Sequence, residues 1–220
     1  MEEQTRFEPS NAGQGPATIL VVDDSVPSAN LLRLQLERAG YRVQLAFDGE
    51  EALAKVQAAK PDLIILDVAV DRARNRTVYS FTGTKKAIFA GGAALYERAI
   101  EHIDMRRHAG EHPRVGAVDV FPFVPLKDAT IDLAKQWSEE FAELVAKRFK
   151  LPVYLFGESA RYRYRRDLEN IRGGEYEGFA DKMKDLRWKP DFGPDGFPER
   201  SGVTIIGARH PQISFKVVLS

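Results

Sequence analysis

The order of patterns between residues 17 and 68 leaves this chain few folds to choose from. Residues 18–22 form a β-branched run that ends in Asp23 and Asp24. Ser25 with Pro27 is a helix start; Leu31, Leu32, Leu34, Gln35, Leu36 and Ala39 give the helix a broad apolar face, and Gly40 stops it. Residues 41–46 read as a second strand, 49–58 as a second helix, and Pro61-Asp62 introduces the apolar run 63–66 before Asp67. Strand, helix, strand, helix, strand in such short compass requires a parallel sheet with right-handed crossovers.

The remainder alternates as well. Residues 76–82 predict a strand, with Thr77, Tyr79 and Phe81 on one face, and 86–103 predict a helix in which Gly91-Gly92 is either a soft spot or a close-packing site. Next comes a stretch that gathers Asp104, Arg106, Arg107, His108, Glu111, His112, Arg114 and Asp119 around the apolar run 115–124, which reads as a central strand. Pro113 pushes His112 out of the helical region, so this imidazole sits on a loop at the mouth of that strand, where it suits general-base chemistry. His108 and His112 have the spacing of a helical metal pair, but Gly110 and Pro113 oppose a helix and no third ligand is clustered with them. An inert, hydrogen-bonded loop histidine is the plain alternative.

Residues 131–149 give the clearest helix, with Ala134, Trp137, Phe141, Leu144, Val145 and Arg148 recurring at three and four, so Trp137 reads as core. Residues 152–156 form a buried strand. Arg161-Tyr162-Arg163-Tyr164-Arg165-Arg166 has the residue types that grip phosphate and stack on bases, yet Asp167, Glu169 and Glu175 flank it, and a solvated surface stripe is the better reading. Residues 188–202, rich in Gly and Pro, form a shaped loop, and 203–206 and 212–219 are the last strands.

Composition removes several function classes. The 220 residues carry 32 basic and 32 acidic side chains, so no global field recruits nucleic acid or membrane. The absence of cysteine excludes disulfides, thiolate nucleophiles and Cys-based zinc sites, and suits a cytoplasmic protein. No apolar run approaches the ~20 residues of a membrane helix, and residues 1–16, too polar for a signal peptide, read as a disordered arm.

Collinear short motifs then recur along the chain: Asn75-Arg76-Thr77-Val78-Tyr79, Ile103-Asp104-Met105, Gly110-Glu111-His112-Pro113-Arg114, Ala117-Val118-Asp119-Val120, Pro152-Val153-Tyr154-Leu155, Gly174-Glu175-Tyr176-Glu177, Pro190-Asp191-Phe192-Gly193-Pro194 and Gly207-Ala208-Arg209. Through them the chain resembles the N-terminal subdomain of glutamate formiminotransferase, the folate enzyme of histidine degradation. The resemblance implies transfer of a formimino group from N-formimino-L-glutamate to N5 of tetrahydrofolate. It also implies a catalytic role for the histidine of the Glu-His-Pro-Arg motif, here His112. The family's folate loop falls on Gly193, Pro194, Asp195, Gly196, Phe197, Pro198, Glu199, Arg200, Ser201 and Gly202. Beside that resemblance, Phe197 suits a pterin ring and Arg200 a glutamyl carboxylate; Arg114 or Arg209 suits a substrate carboxylate, and Asp119 or Glu111 can set the imidazole tautomer.

The opening unit, with Asp23-Asp24 after its first strand and Asp67 at the end of its third, resembles the first half of a response-regulator receiver domain. That implies Mg²⁺ on Asp23 and Asp24 and phosphate on Asp67, since carboxylates at the carboxyl ends of parallel strands converge on one cation. The pattern then stops: Val68-Ala69-Val70-Asp71-Arg72 replaces the Met-Pro turn, and no later strand carries the Ser or Thr and the Lys that contact the phosphoryl group. Leu66-Asp67-Val68 ends the receiver's third strand, forms the transferase's second strand, or does both. Ala69 stands where many transferases have an aspartate, with Asp71 close by as a substitute.

The expectation is an α/β chain in which a receiver-like parallel βαβαβ unit (17–68) joins a formiminotransferase-type α/β subdomain with a mixed sheet (69–220). Function is formimino transfer, incomplete in a lone chain unless a homodimer or a second transferase subdomain closes the cleft; the alternatives are a phosphorelay module acting through Asp67 and an inactive fusion. Because the hydroxyl and lysine partners of a phosphoryl group are missing, acetyl phosphate with Mg²⁺ should leave the chain's mass unchanged. A one-phosphate gain that disappears in Asp67→Asn would overturn this.

Overall fold

The computed structural model describes residues 16–212, so residues 1–15 of the expected arm and 213–219 of the expected closing strand lie outside it. The chain divides into two units, Met1–Asp71 with Arg76–Ile88, and Arg72–Asn75 with Phe89–Ser220.

The first unit holds β1 (Thr18–Val22), α1 (Val26–Arg38), β2 (Arg42–Ala46), α2 (Gly49–Ala59), β3 (Leu63–Asp71) and β4 (Arg76–Gly83) in a sheet of order β2-β1-β3-β4. β1 runs parallel to β2 and β3, while β4 pairs with β3 antiparallel, so the mixed sheet lies here. Ile19, Val21 and Leu63 form its core, with Leu32, Leu36, Val43, Leu45, Ile65 and Phe81 packed around them. The broad apolar face expected of α1 is narrower than its sequence suggests. Ala29, Leu32 and Leu36 recur at helical spacing and face inward, whereas Leu31 and Leu34 fall off that stripe and are exposed. α2 starts on a reciprocal cap: the Asp48 carboxylate accepts the Glu51 N–H at 2.7 Å, and the Glu51 carboxylate accepts the Phe47 N–H at 2.8 Å.

Most of α3 (Lys85–His102) belongs to the second unit, followed there by β5 (Val120–Phe123), α4 (Ile131–Phe149), β6 (Val153–Gly157), α5 (Leu168–Arg172), α6 (Glu175–Lys182) and β7 (Thr204–Ala208). Its sheet is parallel with order β5-β7-β6, and β7, buried throughout, is the middle strand. β5 is therefore an edge strand among the described residues, not the central one expected, and it is shorter than 115–124. Residues 115–117 bond instead to the chain entering β7: Val203 N–H donates to the Val115 carbonyl at 3.0 Å and Ala117 N–H to that of Ser201 at 2.8 Å.

Each side of this sheet has its own core. Phe121, Phe123, Phe141 and Tyr96 pack as a cluster of aromatic rings, with centroids 4.7 Å apart for Phe121 and Phe141. Gly92 makes room for them, since a Cβ there would lie 2.6 Å from the Phe141 ring; Gly92 is thus the close-packing site. The second cluster joins Val115, Tyr154, Phe156, Ile171, Phe179, Val203 and Ile205. On α4 the buried stripe is Ala134, Ser138, Phe141, Ala142, Val145 and Ala146, which leaves Trp137 and Leu144 half-buried at its flanks. No helix among the described residues is long and apolar enough to cross a membrane.

The stripe read as solvated, residues 161–166, has a buried centre. Arg165, with 1% of its side chain exposed, bonds Asp191 at 2.9 Å and the carbonyls of Arg187 and Lys189 at 2.5 and 2.8 Å. The rings of Tyr154, Tyr162, Tyr164 and Trp188 surround its guanidinium. Burial and the three bonds from its terminal nitrogens make it a staple for the 187–191 segment, while its buried Nε–H finds no acceptor among the described residues. Arg165→Met leaves the Asp191 carboxylate buried and short of its counter-charge, and should lower unfolding free energy by about 3–5 kcal/mol in urea titrations, part of it restored by Asp191→Asn in the same chain.

Candidate functional site

His112 lies in the bend that Pro113 imposes, half-buried, with its Nδ1 2.7 Å from the Pro113 carbonyl oxygen. A carbonyl only accepts, so Nδ1 carries the proton and the lone pair of the neutral ring is on Nε2. The tautomer is thus set by the backbone of the next residue. Asp119 and Glu111 were the expected orienting groups. Asp119 instead accepts the Val115 N–H at 2.9 Å and pairs with Arg172, which braces the loop, and Glu111 is exposed.

His108 has a different part. Its Nε2–H donates to the Asn75 carbonyl at 2.9 Å, the Asn75 amide returns a bond to the Ala109 carbonyl at 2.8 Å, and His108 Nδ1 is buried without a partner among the described residues. It anchors the loop that presents His112. The described residues include no group of three or more His, Asp or Glu able to hold a metal ion.

Arg114, only 12% exposed at its side chain, meets Glu177 with both terminal nitrogens, at 2.9 and 2.6 Å, and touches Glu175 at 3.3 Å. Its second terminal nitrogen also donates to the His108 carbonyl at 2.9 Å. The Glu177 hydrogen bonds raise the Arg114 pKa and Arg114 lowers that of Glu177, so both stay charged. The carboxylate expected at Arg114 is therefore one of the chain's own. Around it Ala109, Gly110, Gly174, Glu175 and Glu177 line an open depression of about 560 Å³.

Glu175 and Glu177 flank Tyr176 in the first turn of α6. The Tyr176 hydroxyl donates to the Glu199 carbonyl at 2.5 Å and its ring lies 5.4 Å from that of Phe197, so α6 is tied to the 193–202 loop. Within that loop Gly193, Pro194, Asp195 and Gly196 are exposed, Gly193 adopts a positive φ, and Ser201 and Gly202 are buried. The Pro198 carbonyl closes the turn, accepting from Ser201 and Gly202. Phe197 corrects one expectation: its ring packs on Phe179 and Tyr176 as part of the core and is not free to stack on a ligand. Arg200 is exposed and donates to the Glu101 carbonyl at 2.9 Å. Asp104, near Arg200, is held down to about 2 chiefly by its hydrogen bond to Arg106, so it stays ionised through any ordinary pH.

Arg209 is not part of this grouping. It follows β7, whose opposite end adjoins the Gly116–Gly202 bridge, and its guanidinium bonds Gln212 at 2.7 Å. A five-residue strand, roughly 17 Å, separates those ends. In the first unit the acids also depart from expectation. β3 continues to Asp71 because β4 pairs with it, Asp67 opposite Ser80, so Asp67 is exposed inside a strand rather than at its end. The Asp23 carboxylate is taken up by the Ser25 N–H at 2.8 Å. Asp23, Asp24 and Asp67 do not fit Mg²⁺.

Tyr176, Glu175 and Glu177 were assigned no role from sequence. The available signal was two acids on either side of a tyrosine directly after a glycine, which here has the positive φ of a helix entry.

Comparison with known proteins gives two family matches that overlap along the chain. Residues 49–209 match the family model "Formiminotransferase domain, N-terminal subdomain", and residues 19–74 match "Response regulator receiver domain". The chain is 38% identical over 176 residues to "Glutamate formimidoyltransferase" of Streptococcus pyogenes serotype M1, covering 80% of this chain and 58% of that one. It is 40% identical over 169 residues to "Formimidoyltransferase-cyclodeaminase" of Sus scrofa, covering 77% of this chain and 31% of the other. It therefore spans well under two thirds of the length of these relatives. A solved structure, the N-terminal domain of a response regulator receiver protein from Methanoculleus marisnigri JR1, is 45% identical over 26% of this chain and 47% of that one, with a TM-score of 0.23 that carries no argument.

The tautomer gives a direct test. Long-range ¹H–¹⁵N spectra at mildly alkaline pH should show His112 with Nδ1 protonated and Nε2 bare, and the reverse in His108. An Nε2–H form at His112 would mean that the Pro113 carbonyl does not set its tautomer.

Proposed function

This chain belongs to the formiminotransferase N-terminal-subdomain family, and from that premise we propose that it carries the catalytic wall of a folate-dependent formimino transfer, with His112 as general base. The reaction moves the formimino group of N-formimino-L-glutamate to N5 of tetrahydrofolate. The observation that supports it is the Nδ1–Pro113 contact, which directs the basic lone pair of a neutral His112 to Nε2.

In this reading the amine at N5 attacks the formimino carbon and Nε2 takes its proton. The carbon–nitrogen bond to glutamate then breaks, and the imidazolium returns that proton to the departing amine. Tetrahydrofolate is a substrate here. Loop 193–202 receives it: Gly193 to Gly196 are exposed, the backbone at Gly196 is open to a flat ring because nothing lies within 4 Å of where its Cβ would be, and Glu199 and Arg200 offer charge at the rim. A second formiminotransferase subdomain, or a second copy of this chain, supplies the opposing wall, and the reaction belongs in the cytoplasm. The signalling alternative gains nothing from an Asp67 that lies within β3.

With both substrates saturating, His112→Asn should lower single-turnover transfer by about two orders of magnitude or more while folate affinity stays nearly unchanged, and His108→Asn should lower it far less. Equal losses at the two positions would point to folding. Absence of both transfer and any folate-induced rise in Tm in the wild-type chain would sink the reading.

A further inference from the structure

We propose that Arg114 is a receptor for a ligand carboxylate, and that Glu177 is the internal competitor which such a ligand displaces. The inference deepens and rests on the transferase reading, since N-formimino-L-glutamate is a dicarboxylate.

The asymmetry of the ion pair carries the argument. Arg114 has 12% of its side chain exposed, while Glu177 has 64% and Glu175 46%. One terminal nitrogen of the guanidinium is also held by the His108 carbonyl at 2.9 Å, and its Nε–H, buried, finds no acceptor among the described residues. A fixed planar fork is thus capped by a carboxylate free to swing into water. Glu177 occupies the fork end-on with both oxygens, the geometry in which arginine selects carboxylates. An incoming carboxylate takes over the same two bonds, so the exchange leaves the half-sequestered guanidinium paired throughout.

Space and position fit the exchange. Ala109, Gly110 and Gly174 keep the depression over Arg114 free of bulk. Gly110 is irreplaceable there, because a Cβ would meet the Arg74 carbonyl oxygen at 2.5 Å. Arg114 follows His112 by two residues on the same loop, so the fork belongs to the segment that presents the imidazole, although His112 itself does not line the depression. Tyr176 stands between the two competing acids, 5.9 Å below the Arg114 guanidinium, and its hydroxyl reaches Glu199. Release of Glu177 therefore acts on the helix turn that holds the 193–202 loop.

The probe is glutarate, titrated calorimetrically without folate, with glutaramide as the neutral control. Glu177→Gln should tighten glutarate about tenfold or more, because it removes a tethered competitor at millimolar or higher effective concentration. Glu175→Gln, which removes one longer contact, should change affinity by less than about threefold. Arg114→Gln should abolish binding in either background. Should that variant not fold, Arg114→Lys keeps the charge without the fork and should still weaken binding by about tenfold or more. Glutarate affinity unchanged or weakened in Glu177→Gln, retained in Arg114→Gln, matched by glutaramide, or undetectable in all variants up to tens of millimolar would each overturn the proposal. Glutarate has no formimino group and the assay no folate, so failure here leaves His112 untouched. Normal glutarate behaviour with neither transfer nor a folate-induced rise in Tm would sink the transferase reading instead.

Discussion

The site depends on a main-chain contact that admits no side chain. Gly116 and Gly202 bridge where the histidine loop passes the chain entering β7; a Cβ on Gly202 would lie 2.2 Å from the Val115 carbonyl oxygen, and one on Gly116 2.0 Å from that of Val203. Gly202 also takes a positive φ, so any L side chain there is strained twice over. This approach lets residues 112–119 and 193–202, far apart in sequence, share one backbone framework. Without it, the bonds from Val203 to Val115 and from Ala117 to Ser201 could not form together. The imidazole and the proposed folate loop are set by backbone geometry first, and their side chains act within that frame.

On this frame charge is neutralised locally. Arg114 with Glu177, Asp119 with Arg172, Asp104 with Arg106 and Arg165 with Asp191 each close within the second unit, which is the spatial form of a zero net charge. The pairs differ in what burial makes of them. Arg165 and Asp191 are both buried, so breaking that pair strands a charge in a medium of low polarisability, whereas Glu177 faces water and can give way to another carboxylate that keeps Arg114 paired. One kind of contact therefore builds the fold, and the other can take part in binding.

Patterns with a regular period were legible in the sequence. β1, α1, β2 and α2 fall within a residue or two of their predicted spans, as does α4, because each carries its own hydrophobic repeat and its own stops. His112 falls on a loop for the local reason that Pro113 gives. What failed to show depends on partners distant in sequence. Arg114 looked free until a residue 63 positions away closed on it. Arg165 looked solvated because its ring of aromatics comes partly from Tyr154 and Trp188, outside its own run. α5 and α6 are too short to establish a repeat, each burying one large side chain, Ile171 and Phe179. β5 ended early because residues 115–117 found their backbone partners beside Gly202.

The two family matches overlap over residues 49–74, so α2 and β3 are claimed by both patterns. An acidic receiver edge requires its third strand to end at the aspartate, since only there does the carboxylate leave the sheet to face a cation beside its neighbours. A hairpin that continues the same strand to pair with β4 makes the opposite demand. In this chain the hairpin prevails: β3 runs four residues past Asp67 to Asp71, and the register slips between Ile65 and Asp67 to bring Asp67 opposite Ser80. The parallel pairing of β1 with β3 is seen only as far as Val21 and Ile65, so the slip falls where the parallel ladder stops and the antiparallel one continues alone. The acidic signature survives in the sequence, while the strand end that gave it meaning has been absorbed into the hairpin.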